Sequence, residues 1–348
     1  MWLISLRDLQ WRQRRFVIAV LATGLVFGMS LLMAGTTHTM YEEGRRIVRS
    51  FGADGWVVAA DASGPFTATT PVMAAAAAEV AAMPGVEAAE PVVIMHSTIN
   101  EHQPRDVNVI GYPPGSFAAD DVREGRAIAV AGETVADVNL GLELGDTVRL
   151  GGRDLRVVGL DDQVTWYFGT PTLFVSLADA QAIGFGGEPL ATSIVTRGVP
   201  DEAPAAMRTV TEAQVMTDLE RPLKSSTDTV ALLNTLLWIV AAGIIGSMVY
   251  LSAMERSRDF AVLKATGATN RTLLGGLVLQ ALVLSCVSAV VAAVVAAALA
   301  PLMAFSVEFP TSAYVQLGIV VIVVGLVASI AGLRRAVTVE PALAFGGA

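Results

Sequence analysis

The residues with the densest chemistry lie in MERSRDFAVLKATGATNRT, Met254–Thr272, where two acids, three arginines and a lysine stand between long stretches that carry no charge. Interleaved with Phe260 and Leu263, these charges suit docking rather than catalysis. Apolar side chains bury as anchors, and charges at the rim fix orientation. Phe260, Ala261, Leu263 and Ala268 can share one patch of a short amphipathic helix, flanked by Glu255, Arg256, Asp259 and Lys264. Gly267 is suited to end such a helix because glycine tolerates the left-handed cap conformation. The plainer alternative is a solvated loop that only anchors helix ends with positive charge. A second cluster, Trp166, Tyr167 and Phe168 in DDQVTWYFGTP, is a candidate extracytoplasmic partner or substrate contact, against the commoner role of packing beneath a loop.

Motifs for bond-making chemistry are missing. Lys224 and Lys264, the two lysines, both follow leucine, and no G-x-x-x-x-G-K-[ST] occurs, so the chain lacks a P-loop. His38, His96 and His102 have no metal-ligand spacing, and neither H-E-x-x-H nor G-x-S-x-G is present. Cys286 is the single cysteine; it excludes a disulfide framework and reads as a small buried apolar residue. The expectation is a non-catalytic chain with no metal or cofactor of its own.

The elements that position these residues follow from hydropathy. Of 348 residues, 53% are hydrophobic and 16% charged, and the mean hydropathy is +0.59. Four windows lack Asp, Glu, Lys and Arg altogether: Phe16–Tyr41, Thr229–Met254, Thr272–Val307 and Phe309–Leu333. Each exceeds the roughly 20 residues that a helix needs to cross a bilayer. The reading is four transmembrane helices, at 16–37, 229–253, 273–304 and 314–333. The apolar run beginning at Phe16 is longer than a signal-peptide core and ends in no A-x-A pattern, so an uncleaved anchor is expected.

Charge sets the orientation. The N-terminal segment (1–15), the hairpin (254–272) and the tail (334–348) hold ten basic residues and four acids, leaving 13 basic and 28 acidic residues elsewhere. By the positive-inside rule these three segments, and so both termini, are cytoplasmic. A net +6 then lies inside against −15 outside, a balance that excludes nucleic acid as a partner. No acid, lysine or arginine interrupts a window, which disfavours an ion-driven pump.

Residues 38–228 form the bulky soluble part, a mixed α+β extracytoplasmic domain between the first and second spans. Strands are expected at Trp56–Ala60, Val92–Ile99, Val107–Gly111, Ala127–Ala131, Thr147–Leu150, Leu155–Val158, Thr172–Ser176 and Ser193–Thr196. Short helices are expected at Met73–Met83 and Leu177–Ile183, and the first span is expected to continue as a stalk. Gly151-Gly152 suits a two-residue hairpin turn. The Pro/Gly-rich GYPPGSF and GFGGEPL suggest an inserted subdomain at 113–189, followed by a short outer loop at 305–313 between the last two spans. Gly24 with Gly28, Gly243 with Ser247 and Ala328 with Gly332 have the spacing at which helices approach closely in lipid.

With these residues in view, RDFAVLKATGA (Arg258–Ala268) resembles the cytoplasmic motif of the FtsX/MacB-type ABC transporter permeases, approximately R-x-x-E-I-A-x-L-R-A-L-G-A. Asp259 stands at the acidic position, Phe260 at the next aliphatic, Leu263-Lys264-Ala265 at Leu-Arg-Ala, and Gly267-Ala268 at the closing Gly-Ala. Asp for Glu and Lys for Arg are departures that keep charge and change the head group. SLRDLQWRQRRFVIAVLATGL, PGVEAAEPVV, LGLELGDTVRLGGRDLRVVGL, FVSLADAQ and RRAVTVEPALAF resemble the family's start, outer core domain and C-terminal ending.

The resemblance implies a permease subunit in the bacterial cytoplasmic membrane that pairs with a second copy or homologue and contacts membrane lipid. It also implies a separate ATPase subunit, which binds the ATP and Mg. Glu255, Arg256, Asp259, Phe260, Leu263, Lys264, Gly267 and Ala268 would then form the coupling helix. The implied function is transmission of ATP-driven motion to the outer domain, to export or release a lipidic, peptide or similar substrate. The alternative is a non-transporting mechanotransmission protein that regulates an extracytoplasmic partner such as a cell-wall hydrolase.

Overall fold

The structure is a computed structural model that describes residues 13–67, 70–100, 104–119, 122–162, 165–167, 169–267, 269–303 and 307–338. Most of the N-terminal segment, Phe168, Ala268 and the end of the tail (339–348) lie outside the described residues. The chain divides into two compact units, Met40–Ser226 and a second made of the flanking segments.

The flanking unit is helical. Four helices among the described residues are long and apolar enough to cross a membrane. The first is part of α1 (Gln13–Ser50), whose 38 residues rise about 57 Å at roughly 1.5 Å each, well beyond one bilayer crossing. The others, introduced here by their ranges, are α5 (Lys224–Glu255), α7 (Asn270–Leu299) and α8 (Thr311–Thr338). Phe27, Leu31, Ile245, Leu277, Leu284 and Val321 are among the side chains that fill the space between them.

Close approach is written into α1. A Cβ on Gly24 would stand 2.6 Å from Val291 Cγ1, and one on Gly28 would stand 3.1 Å from Val295 Cγ1, so both glycines seat α1 against α7. Gly243 meets nothing within 4 Å, and it and Ser247 are exposed on α5. Cys286 is also exposed, on α7, rather than buried as its small apolar character suggests. The helix presents it outward.

The 40–226 unit is built on one connected sheet. Its strands are β1 (Gly55–Ala59), β3 (Ala88–Asn100), β4 (Pro104–Tyr112), β5 (Glu124–Gly125), β6 (Glu133–Asp137), β7 (Thr147–Leu150), β8 (Arg153–Asp161), β9 (Thr172–Ser176), β11 (Ser193–Arg197) and β12 (Met207–Val210). The order is β12-β1-β11-β3-β4-β9-β6-β8-β5, with β7 beside β3 and β8. Pairing is antiparallel except for β4 with β9 and β6 with β8. A separate ribbon joins β2 (Val72–Met73) to β10 (Leu190–Ala191). Helices α2 (Ala76–Ala81), α3 (Leu177–Phe185) and α4 (Glu212–Glu220) also belong to the unit, with the end of α1.

Gly151 and Gly152 have φ of +55° and +80°, the positive values that a tight hairpin turn requires between β7 and β8. Two of the expected elements differ. Ala127–Ala131 is not a strand, because its backbone is diverted to Glu133, whose carboxylate accepts hydrogen bonds from Ala129 N and Val130 N. The strands lie to either side, at β5 and β6. Met73–Met83 shortens to α2 because Val72 and Met73 pair with β10 instead. Strands within 113–189 and strands outside it share the connected sheet. One apolar cluster mixes Trp56, Ile110, Val135, Phe174 and Val195 from both regions.

Candidate functional site

The hairpin folds as α6 (Ser257–Ala265) between α5 and α7. Its first turn continues from α5 through Arg256 N to Ser252 O (3.2 Å) and Phe260 N to Arg256 O (2.9 Å). It stops at Gly267, which has φ of +95° and donates to Lys264 O at 3.0 Å, a left-handed residue closing a helical turn. Thr269 then caps α7, accepting from Thr272 N.

The faces of α6 divide differently from the sequence reading. Phe260 is 4% exposed and packs, with Ala261, into the core of the helical unit; Leu263 is partly buried against the same core. Phe260 is therefore an internal anchor, not a residue free to insert into a partner. The correction has a simple cause. A nine-residue helix is stable only where its apolar face is covered, and the neighbouring spans supply the nearest cover. Val262, 49% exposed, is the apolar side chain that points outward, beside exposed Arg258 and Asp259.

Charge pairs fix the hairpin's frame. Glu255 Oε1 accepts from Arg15 Nη1 at 2.5 Å, tying the start of α1 to the end of α5. Arg256, mostly buried, lies 5.6 Å over the Phe260 ring and 3.9 Å from Asp259 Oδ2. Lys264 is half-buried. Within the bundle, Ser252 and Gln280 join α5 to α7 with paired side-chain hydrogen bonds of 3.1 and 3.2 Å. Glu255 and Arg256 thus act first within the chain, and Asp259 faces outward. Val262 and the Ser252–Gln280 pair escaped sequence reasoning, and Arg258 entered it only as the first residue of the motif. Gln280, the one amide side chain in its charge-free window, was the available signal for the pair.

The aromatic cluster divides likewise. Trp166 is 1% exposed, within 5.8 Å of the Phe66 ring. It is a core side chain rather than a contact surface, because the Trp166–Thr170 bridge turns it under the loop. Tyr167 is partly buried, 5.1 Å from the His96 ring, and holds φ of +54°, rare for a residue with a Cβ. Burial, helped by the negative charge of Asp218, pushes its phenol up to about 12. No group of three or more metal-ligating side chains occurs among the described residues.

Four helices long and apolar enough to cross a membrane, a large α+β unit after the first and a pinned charged hairpin after the second are the architecture of a transporter permease. The sequence signature of the FtsX-like permease C-terminal family matches residues 231–341, and that of the MacB-like periplasmic core domain matches residues 17–213. Two Mycobacterium tuberculosis proteins named ABC transporter permease, Rv2563 and Rv0072, are each 43% identical over 344 residues, covering 99% of both chains. The periplasmic region of MacB from Actinobacillus actinomycetemcomitans aligns at 12% identity with a TM-score of 0.37, over 50% of this chain and 95% of that one. The chain belongs to the FtsX/MacB family of ABC transporter permeases.

Proposed function

We propose that this permease receives the motion of a separate ABC-type ATPase through α6 and passes it to the extracytoplasmic 40–226 domain, for export or release of a lipidic, peptide or similar substrate. The carrying observation is the division of α6: Phe260 locks it into the bundle, while Arg258, Asp259 and Val262 remain exposed. A pushed hairpin so anchored moves its helices instead of sliding past them. ATP and Mg belong to the ATPase. The chain lies in the bacterial cytoplasmic membrane with both termini and α6 inside, as the basic residues argue. A second copy or homologue packs on the α5 face that carries exposed Gly243 and Ser247.

The second reading is mechanotransmission to an extracytoplasmic partner without transport; the uncharged spans fit it and export of a lipidic substrate equally. The test is co-purification of the tagged full chain in detergent, with ATPase assay. The wild type should bring down a P-loop ATPase, and Val262→Asp should lose it while eluting as wild type does. An ATPase absent from the wild-type preparation would overturn the proposal. Stimulation by a candidate substrate would select export over mechanotransmission.

A further inference from the structure

We propose that the helical unit holds an intramembrane site for the uncharged, hydroxyl-bearing headgroup of a glycerolipid. The site is a small, open recess between α1, α5 and α8, with about 20 Å³ free to water-sized groups, lined by Ser30, Ala34, Asn234, Trp238, Gln316 and Leu317 among others. Its polar groups are few and directed. Trp238 Nε1 donates to Ser30 Oγ at 3.0 Å, holding one wall in place. Asn234 Oδ1 is buried and has no hydrogen-bond partner. An unsatisfied carbonyl costs more in a bilayer than in water, because no solvent is there to supply the missing donor.

The chemistry of the occupant follows from this lining. Asn234 Oδ1 requires an O–H or N–H donor, and Gln316, exposed at the mouth, offers both a donor and an acceptor. No described lining residue is charged, so a phosphate would enter without a counter-ion at high desolvation cost. The enclosed space of about 20 Å³ takes one water-sized group. A single headgroup hydroxyl therefore enters, and the glycerol carbons and esters stay at the open mouth. The acyl chains would run outward along the exposed apolar faces, where Val315 and Ile319 of α8 lie. Connectivity places the site near the membrane face from which the 40–226 domain emerges: Ser30 precedes the exit of α1, Asn234 follows the entry of α5, and Gln316 lies in the first turns of α8.

The experiment is photo-crosslinking of the full chain in nanodiscs with a diazirine-bearing diacylglycerol, set beside phosphatidic acid with the same chains. Labelled peptides are identified by mass spectrometry. Diacylglycerol should label the peptides carrying Ser30, Asn234 or Gln316, and phosphatidic acid should label them more weakly. Asn234→Leu and Gln316→Leu should each cut that label about fivefold, as expected for one lost hydrogen bond, and Ala34→Phe should remove it by filling the recess. Equal labelling by both lipids, label spread evenly over all spans, or label unchanged in Asn234→Leu and Gln316→Leu would overturn the site. So would absence of label, which would leave water as the occupant. No ATPase takes part, so this outcome and that of the co-purification are independent.

Discussion

Adding one methyl group to Gly24 should destabilise the helical unit, while the same methyl on Gly243 should not. A Cβ at Gly24 would lie 2.6 Å from Val291 Cγ1, 2.9 Å from Val291 Cβ and 3.3 Å from Ser288 O. Cγ1 cannot swing far, because a β-branched side chain on a helix has one strongly preferred rotamer. The Val291 Cβ and the Ser288 carbonyl are fixed to the backbone, so α1 and α7 must separate. Overpacking of this kind costs about 1 to 3 kcal/mol. The better helix propensity of alanine returns up to about 1 kcal/mol. The net expectation for Gly24→Ala is about 1 to 2 kcal/mol of lost stability. At Gly243 nothing lies within 4 Å, so only the propensity term acts, and Gly243→Ala should be neutral or stabilising by up to about 1 kcal/mol. Unfolding of the purified chain by SDS titration, followed by circular dichroism, reads both. Val291→Ala should be less harmful in the Gly24→Ala background than alone, because it vacates the clashing position. Equal stability of Gly24→Ala and wild type, or equal loss in both glycine variants, would refute the packing argument.

Three further outcomes are expected. Phe260→Ala should cost about 3 to 5 kcal/mol by opening a cavity in the helical core, whereas Val262→Asp should leave the melting temperature unchanged and lower only ATPase binding; thermal shift beside co-purification separates the two. Removing the Asp218 carboxylate, which accepts from Phe66 N at 2.9 Å and Thr67 N at 3.1 Å and from the Thr67 hydroxyl, should cost the 40–226 unit about 1 to 3 kcal/mol in Asp218→Ala, seen as earlier proteolysis of that unit on heating. The Arg126 guanidinium, with the Ala129 and Val130 amides, holds the Glu133 carboxyl down at about 2. A depressed folded value means stability present above the ordinary carboxyl range, lost as pH falls from about 4.5 toward 2. Glu133→Gln should therefore flatten the acid limb of a melting-temperature profile, and only slightly because Arg126 is solvent-exposed.

Four membrane crossings could be read from the sequence because a bilayer imposes length and apolarity on each helix alone, with no need of a partner. The Gly151-Gly152 hairpin and the closing role of Gly267 were legible for the same local reason: a positive φ favours glycine wherever the turn ends up. The family was legible because a short charged motif keeps its order along the chain. Whether Phe260 faces a partner or its own bundle was not legible, since amphipathicity shows that a face is buried and says nothing of what buries it. The same ambiguity hid Trp166 in the core and left Gly24 and Gly243 indistinguishable as small residues in apolar helices. Only the packing of α1 against α7 filled the space around one and left the other open. Asn234 and Gln316 lie 82 residues apart in sequence, and no local pattern could have placed them on one recess. Long-range packing decides which polar groups meet, because it depends on every side chain between them at once.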